Sequence, residues 1–288
     1  MVLKSRYIVV TPVKNEEAFI GKTLTSVVSQ TMRPVEWIIV DDGSADGTRR
    51  IVEGYAKKHP WIRLAALEGS ARVRGGHIVR LFYEGLRQAR TKRYDYIVKL
   101  DGDLSFEHNF FERIFDFFGK SPMLGISSGI SHIRVNGRLV EEKSSRGHTL
   151  GAAKVYEKRC FNDIGGLVEN MGWDGIDEIK ARMRGWEAEP APGLVVEHHR
   201  PEGKARGFFT SGIERGRGAY FMGYHPVFMV ARSVKCMFKY PPLLDGLGML
   251  AGYIRASIRR ERRIEDSEFI AFLRSNQIRK MFMLRNKV

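Results

Sequence analysis

Asp101 and Asp103 stand one residue apart, directly after the apolar run Tyr96 to Leu100. Two carboxylates at a strand end can approach one hard divalent cation, which in turn clamps a diphosphate. Turn chemistry alone also favours Asp and Gly at such a place, so Asp-Gly-Asp by itself leaves a structural role open. A second acidic pair, Asp41-Asp42, closes the run Trp37 to Val40, and Gly43 permits a sharp turn behind it. A carboxylate there can accept a hydrogen bond from a nucleobase N–H or a ribose hydroxyl, with capping of the next helix as the plainer alternative. Arg72 and Arg74, ahead of Gly75-Gly76, offer guanidinium forks for a phosphate or an acceptor. Arg215 and Arg217 are similar candidates in a glycine- and arginine-rich stretch, and simple solvation is the alternative for all four.

The elements that must position these groups alternate in type. Tyr7 to Thr11 is a β-branched apolar run, followed by a polar stretch and a helical pattern with Ile20, Leu24, Val27 and Val28 on one face. Trp37 to Val40 repeats the strand, and a helix through Ile51 and Tyr55 follows it, capped by Ser44 or Asp46. A third repeat runs through Ile62 to Ala66 and a helix from about Gly76 to Ala89, and Tyr96 to Leu100 is the fourth strand. Strand-like segments are expected from Gly125 to about Val140, Gly147 to Tyr156 and Leu194 to Glu197, with a helix over Asp177 to Trp186. This alternation predicts an α/β architecture with a mostly parallel central sheet flanked by helices, with ligands beyond the carboxyl ends of its strands. Beyond about residue 205, Pro226 to Tyr240 and Leu243 to Arg259 read as two helices separated by Pro241-Pro242.

Three segments in order, residues 11–31, 40–48 and 96–104, together resemble the family 2 glycosyltransferases and their GT-A fold. The resemblance continues through Phe161 to Trp186, similar to the family's acceptor-side segment, and covers about residues 5–200. It implies that Pro12, Asn15 and Glu16 belong to the nucleotide-binding loop and that Asp42 contacts the base. Lys14 lies in the same loop where the family usually has an aromatic residue, which leaves the nucleotide open. Asp101 and Asp103 match the metal motif, the second binding the cation and the first touching ribose or metal, with Mg²⁺ or Mn²⁺ as the expected ion. The implied reaction is an inverting transfer, in which one carboxylate removes the acceptor proton. Asp174, Asp177 and Glu178 compete for that role. Gly172 to Asp177 matches the family's Gly-Glu-Asp-x-Asp with Trp for Glu and one extra residue, and that register makes Asp174 the base. A different gap gives the role to Asp177, and stabilisation of a helix N-terminus is the plain alternative for all three acids. Trp173 is expected to line the sugar or acceptor pocket or to serve packing. His198 or His199 would complete the metal site or bind pyrophosphate, and Arg74 is a further donor-side candidate.

Composition narrows the classes. The 288 residues are 43% apolar and 28% charged, ordinary for a folded chain, and the two cysteines cannot build a disulfide framework or a four-cysteine zinc site. No run of about 18 apolar residues is present, and no signal-peptide pattern precedes the first strand, so a cytoplasmic protein is expected. The formal charge of +15 is concentrated late, with 18 Lys or Arg against 7 Asp or Glu from residue 200 onward. The chain is therefore expected to comprise a catalytic domain over 1–205 and a basic amphipathic helical extension over 206–288. Helices of that composition can lie in a membrane interface or pack on the core. The expected partners are a UDP- or GDP-sugar donor and a hydroxyl or phosphate acceptor on a growing glycan or a lipid-linked carrier, with peripheral attachment to the inner membrane face. Nucleic acid is not expected, because acidic clusters would repel its phosphates and no recognition module is present. An inactive scaffold and a nucleotidyltransferase, which would release pyrophosphate, are the rival readings; oligomeric state is left open.

Overall fold

The computed structural model describes residues 5–69, 76–142, 147–200, 207–238 and 243–285. The chain opens with β1 (Tyr7–Val13), α1 (Ile20–Val28), β2 (Glu36–Asp41), α2 (Thr48–Lys58), β3 (Ile62–Ala66), α3 (His77–Gln88) and β4 (Tyr96–Leu100). Every residue of β1 and β2 is buried, as expected for strands covered on both faces. Alternate residues of β1 feed opposite layers. Tyr7 and Val9 pack with α1 and α2, whereas Ile8 and Val10 pack with Val79 and Phe82 of α3. Gly85 lets α3 settle on the sheet, since a Cβ there would meet Val10 Cγ1 at 2.4 Å.

The middle of the chain supplies β5 (Leu104–Phe106), α4 (Phe110–Phe118), β6 (Leu124–Val135), β7 (Arg138–Glu141), β8 (Ala153–Glu157), α5 (Lys158–Asp163), α6 (Trp173–Met183) and β9 (Glu187–His198). Among the described residues the nine strands form one sheet, in the order β3-β2-β1-β4-β8-β6-β9-β5, with β7 pairing to β6. The expected parallel arrangement holds across β3-β2-β1-β4. Pairing turns antiparallel where β8 joins β4, and only β6 and β9 run parallel beyond it. The last strand is longer than its apolar part, because β9 begins in a polar alternation at Glu187. Likewise α6 starts at Trp173 and not at Asp177.

Four helices complete the chain: α7 (Phe208–Phe221), α8 (Pro226–Met237), α9 (Leu244–Ile258) and α10 (Ser267–Arg285). The glycine-rich segment is thus helical. Gly212 and Gly216 of α7 lie against Gly248 and Met249 of α9 at separations that no larger side chain would allow. Buried Ile176 of α6 shares an apolar cluster with Met222, Ile264, Phe269 and Leu273, so the last helices pack on the helix that carries Asp174.

Candidate active site

Parallel pairing brings the carboxyl ends of β1, β2 and β4 side by side, and the Asp42 amide donates to the Val13 carbonyl at 3.0 Å. Around these ends lies a cavity of about 540 Å³ lined by Pro12, Lys14, Glu16, Asp42, Asp101 and Asp103. Trp173 and Asp174 at the start of α6 close its far wall, and Arg200 and Glu214 also line it. The groups singled out on three separate segments therefore meet in one place.

At one end, buried Asp42 receives Lys14 Nζ at 3.1 Å and lies 2.8 Å from His77 Nε2. Asp41 turns away from the cavity to accept the Ser44 amide and hydroxyl, closing the turn behind β2; Ser44 precedes α2, whose N-cap is Gly47, so this bond is not the expected helix cap. Asn15, at φ +56°, accepts from the Ala45 amide and donates its own amide to Ser44. Its side chain thus ties two loops together and does not line the cavity.

In the middle, Lys99 donates to Asp101 Oδ1 at 2.5 Å and to the Gly151 carbonyl at 3.0 Å. Burial raises the Asp101 pKa, opposed by Lys99. For Asp103, burial acts in the same sense but is outweighed by His198 and Arg200, which hold the carboxyl below its usual range. Arg200 also bonds Glu16 Oε2 at 2.5 Å. His198 Nε2 lies 3.5 Å from Asp103 and Nδ1 lies 3.8 Å from Glu142; burial would lower its pKa, but these acids raise it to about 10. His199 faces elsewhere, against Ser105 at 2.9 Å and stacked on Phe19, so its ring is not beside the aspartates as expected.

Among the described residues no group of three or more His, Cys, Asp or Glu is arranged to hold a metal ion. The donor set still fits one kind of ion. Mg²⁺ and Mn²⁺ sites often use one or two carboxylates and complete their shell with substrate phosphates and water, and Asp103 presents an ionised carboxylate to the cavity.

At the other end the three acids of α6 separate. The Asp174 side chain is 38% exposed and lines the cavity. Asp177 is fully buried, accepting from Lys154 Nζ at 3.1 Å and the Tyr156 hydroxyl at 2.6 Å. Glu178 accepts from the Thr149 amide at 2.7 Å and hydroxyl at 2.6 Å, and pairs with Arg182. Neither Asp177 nor Glu178 lines the cavity. His148 bridges upper and lower acids, with Nε2 3.6 Å from Asp174 and Nδ1 2.9 Å from Glu178. Burial would raise the Asp174 pKa, but His148 and Lys154 hold it at about 2. Trp173 is mostly buried in the core and lies beneath Lys99 and Lys154, with its edge in the cavity.

Arg72 and Arg74 lie outside the described residues. Arg215 and Arg217 pair with Asp245 and Glu261, so α7 contributes Glu214 to the lining and uses those arginines to hold its neighbours. Sequence reasoning passed over His77, His148 and Arg200. His77 directly follows Gly75-Gly76 and Arg200 follows His198-His199, so proximity to marked residues was their only signal. His148 had none.

Residues 8–168 match the family model described as Glycosyl transferase family 2. Poly-beta-1,6-N-acetyl-D-glucosamine synthase of Staphylococcus epidermidis is 31% identical over 122 residues, 42% of this chain and 27% of that protein. The chain thus spans about a quarter of that relative's length. The mannosyltransferase PcManGT from Pyrobaculum calidifontis, in complex with GDP-Man and Mn²⁺, superposes with a TM-score of 0.58 at 19% identity, covering 94% of this chain and 79% of that one. S. aureus TarS 1-349 in complex with UDP-GlcNAc gives a TM-score of 0.55 at 17% identity, covering 92% and 78%.

Proposed function

The chain belongs to glycosyl transferase family 2, and from that premise we propose an inverting, metal-dependent transfer of a sugar from a UDP- or GDP-linked donor. The acceptor is a hydroxyl or phosphate oxygen of a growing glycan or a lipid-linked carrier. The observation that carries this reading is that Asp42, Asp103 and Asp174 line one cavity from end to end. In this assignment Asp42, with Lys14 and His77 beside it, takes the nucleoside, and Pro12 and Glu16 shape the donor loop. Asp103 holds the divalent cation, assisted by Asp101, and the ion when bound offsets charge on the diphosphate. Arg200, already next to Asp103, lies where it can pair with the leaving group. The Asp174 carboxylate takes the acceptor proton as that oxygen forms its bond to the anomeric carbon and the bond to the diphosphate breaks. Asp177 and Glu178 support the helix from below and are not proposed as the base, because their carboxylates are buried and bonded. The GDP-Man and UDP-GlcNAc complexes of the two structural neighbours support a nucleotide-sugar donor of this kind.

Thermal unfolding in the presence of UDP, GDP, CDP or dTDP, with and without Mn²⁺, tests the donor half. One nucleotide is expected to raise the melting temperature in a Mn²⁺-dependent way, and Asp103→Ala is expected to abolish the Mn²⁺ dependence. Equal shifts in the variant would remove Asp103 from the cation site. Release of pyrophosphate in place of nucleoside diphosphate during turnover would replace the reading with nucleotidyl transfer.

A further inference from the structure

The outer faces of α8 and α9 are apolar where a water-facing surface would be polar. On α8, Val227, Val230, Val234 and Phe238 recur every three or four residues and all are exposed, Phe238 to 86%. On α9, Leu244 and Leu247 at the start and Ile254 and Ile258 seven residues further along lie on one face, the last exposed to 78%. The opposite faces are occupied: Met229, Met249, Tyr253 and Ala256 pack into a cluster with Ala219 and Tyr220. Each helix is therefore apolar on two sides, and only one side has a partner within the described residues.

Two contacts bring the exposed groups together. The Leu243 amide donates to the Met237 carbonyl at 2.9 Å, so Phe238 and Leu243 meet where the two helices join. Close approach of Gly248 to the Phe209 carbonyl and of Gly252 to the Ile213 carbonyl aligns α7 and α9 with their starts together. Exposed Phe208 and Phe209 thus lie at the same end as Leu244 and Leu247.

The charge around this surface identifies its occupant. Arg255 and Arg259 flank the α9 stripe, Lys235 flanks that of α8, and Arg260 follows, all exposed; Arg262 is paired with Glu265, and Arg263 lies over the Tyr220 ring. No acid lies on α8, and Asp245 and Glu261 of the α9 region are held by Arg215 and Arg217. A second copy docking face to face about a twofold axis would press two basic rims together. An anionic lipid surface accepts both the apolar stripe and the rim. No helix among the described residues is long and apolar enough to cross a membrane, so the contact is along the surface.

We infer that the α8–α9 pair docks on an anionic bilayer. This deepens the proposed function: Glu214, which lines the cavity, lies on α7 five and six residues beyond Phe209 and Phe208, roughly 8–9 Å along the helix. An acceptor with its chains in the bilayer and its polar head in the cavity spans that distance. The acceptor consequence rests on the transferase reading, whereas the docking does not.

Co-sedimentation of the full chain with phosphatidylcholine vesicles, and with vesicles that also contain phosphatidylglycerol, tests the docking. The protein is expected to pellet with the anionic vesicles only, and less so as salt is raised. The triple variant Val234→Glu, Phe238→Glu, Leu247→Glu and the double variant Arg255→Glu, Arg259→Glu should each lower partitioning by about tenfold or more. All five positions are exposed, so both variants should keep the wild-type melting temperature and nucleotide response. Equal binding to both vesicle types, binding undiminished in the variants, or a wild-type dimer that the triple variant dissolves would overturn the inference. Loss of the nucleotide response in the wild type, with vesicle binding intact, would instead remove the transferase reading and leave the docking standing.

Discussion

Asp174 and Asp177 lie on adjacent turns of α6, and burial separates their chemistry: the first opens to the cavity, the second is sealed under Lys154 and Tyr156. Asp174→Asn is expected to lower kcat by about 10²–10⁴-fold, since the amide cannot take the acceptor proton, while the nucleotide-dependent thermal shift persists. A variant that retains wild-type turnover would remove Asp174 as the base. His148 is a positioning residue in this scheme, because it joins Asp174 to Glu178. Burial disfavours its charge, but Asp174 and Glu178 outweigh this and raise its pKa from 6.5 to about 9. Its charged pairing therefore stabilises the fold in full below about pH 6.5 and is lost as pH rises through about 9. The melting penalty of His148→Gln should be largest near about pH 6 and shrink towards about pH 9. A penalty independent of pH would mean that folding leaves the His148 pKa unchanged. The sequence named all three acids but could not tell them apart, because one inserted residue shifts the motif and their different burial is not written in it.

At the scale of elements, the first two strands were legible because parallel strands covered on both faces must be continuously apolar, as Tyr7 to Val10 and Trp37 to Val40 are. The helix α7 was not legible. Gly212, Gly216 and Gly218 lower helix propensity and erase the apolar period; the reason for the first two appears only when α9 is in place, and that for Gly218 only when Met171 packs against it. At Gly216 a Cβ would sit 2.0 Å from the Met249 carbonyl, so Gly216→Ala must push α7 and α9 apart. A loss of about 1–3 kcal/mol is expected, seen as a lower melting temperature. Gly54 is the control, for it lies within α2 with nothing within 4 Å of an added Cβ. Gly54→Ala should stabilise by about 0.5–1 kcal/mol through helix propensity alone. Should both variants melt alike, the tight α7–α9 approach would not be a source of stability.

Across the whole molecule, composition suggested a catalytic unit followed by a basic extension, but packing ties the two. Ile176 of α6 is buried with Ile264, Phe269 and Leu273, the Ile264 amide donates to the Phe221 carbonyl, and Glu214 reaches the cavity. Distance along the chain hid this, since nothing in Phe269 or Leu273 marks the element they cover. The consequence is that the last helices should melt with the sheet and not apart from it. Phe269, fully buried against α6, provides the test. Phe269→Ala is expected to cost about 3–5 kcal/mol and to lower the temperature of one cooperative transition. Because Met222, in the same cluster, lies 3.2 Å from where a Cβ on Gly172 would stand, the lost packing reaches the start of α6 and should also weaken the nucleotide-dependent shift. Two resolved transitions, with nucleotide moving only one of them, would mean that the extension is a separate unit and that α6 holds its position without it.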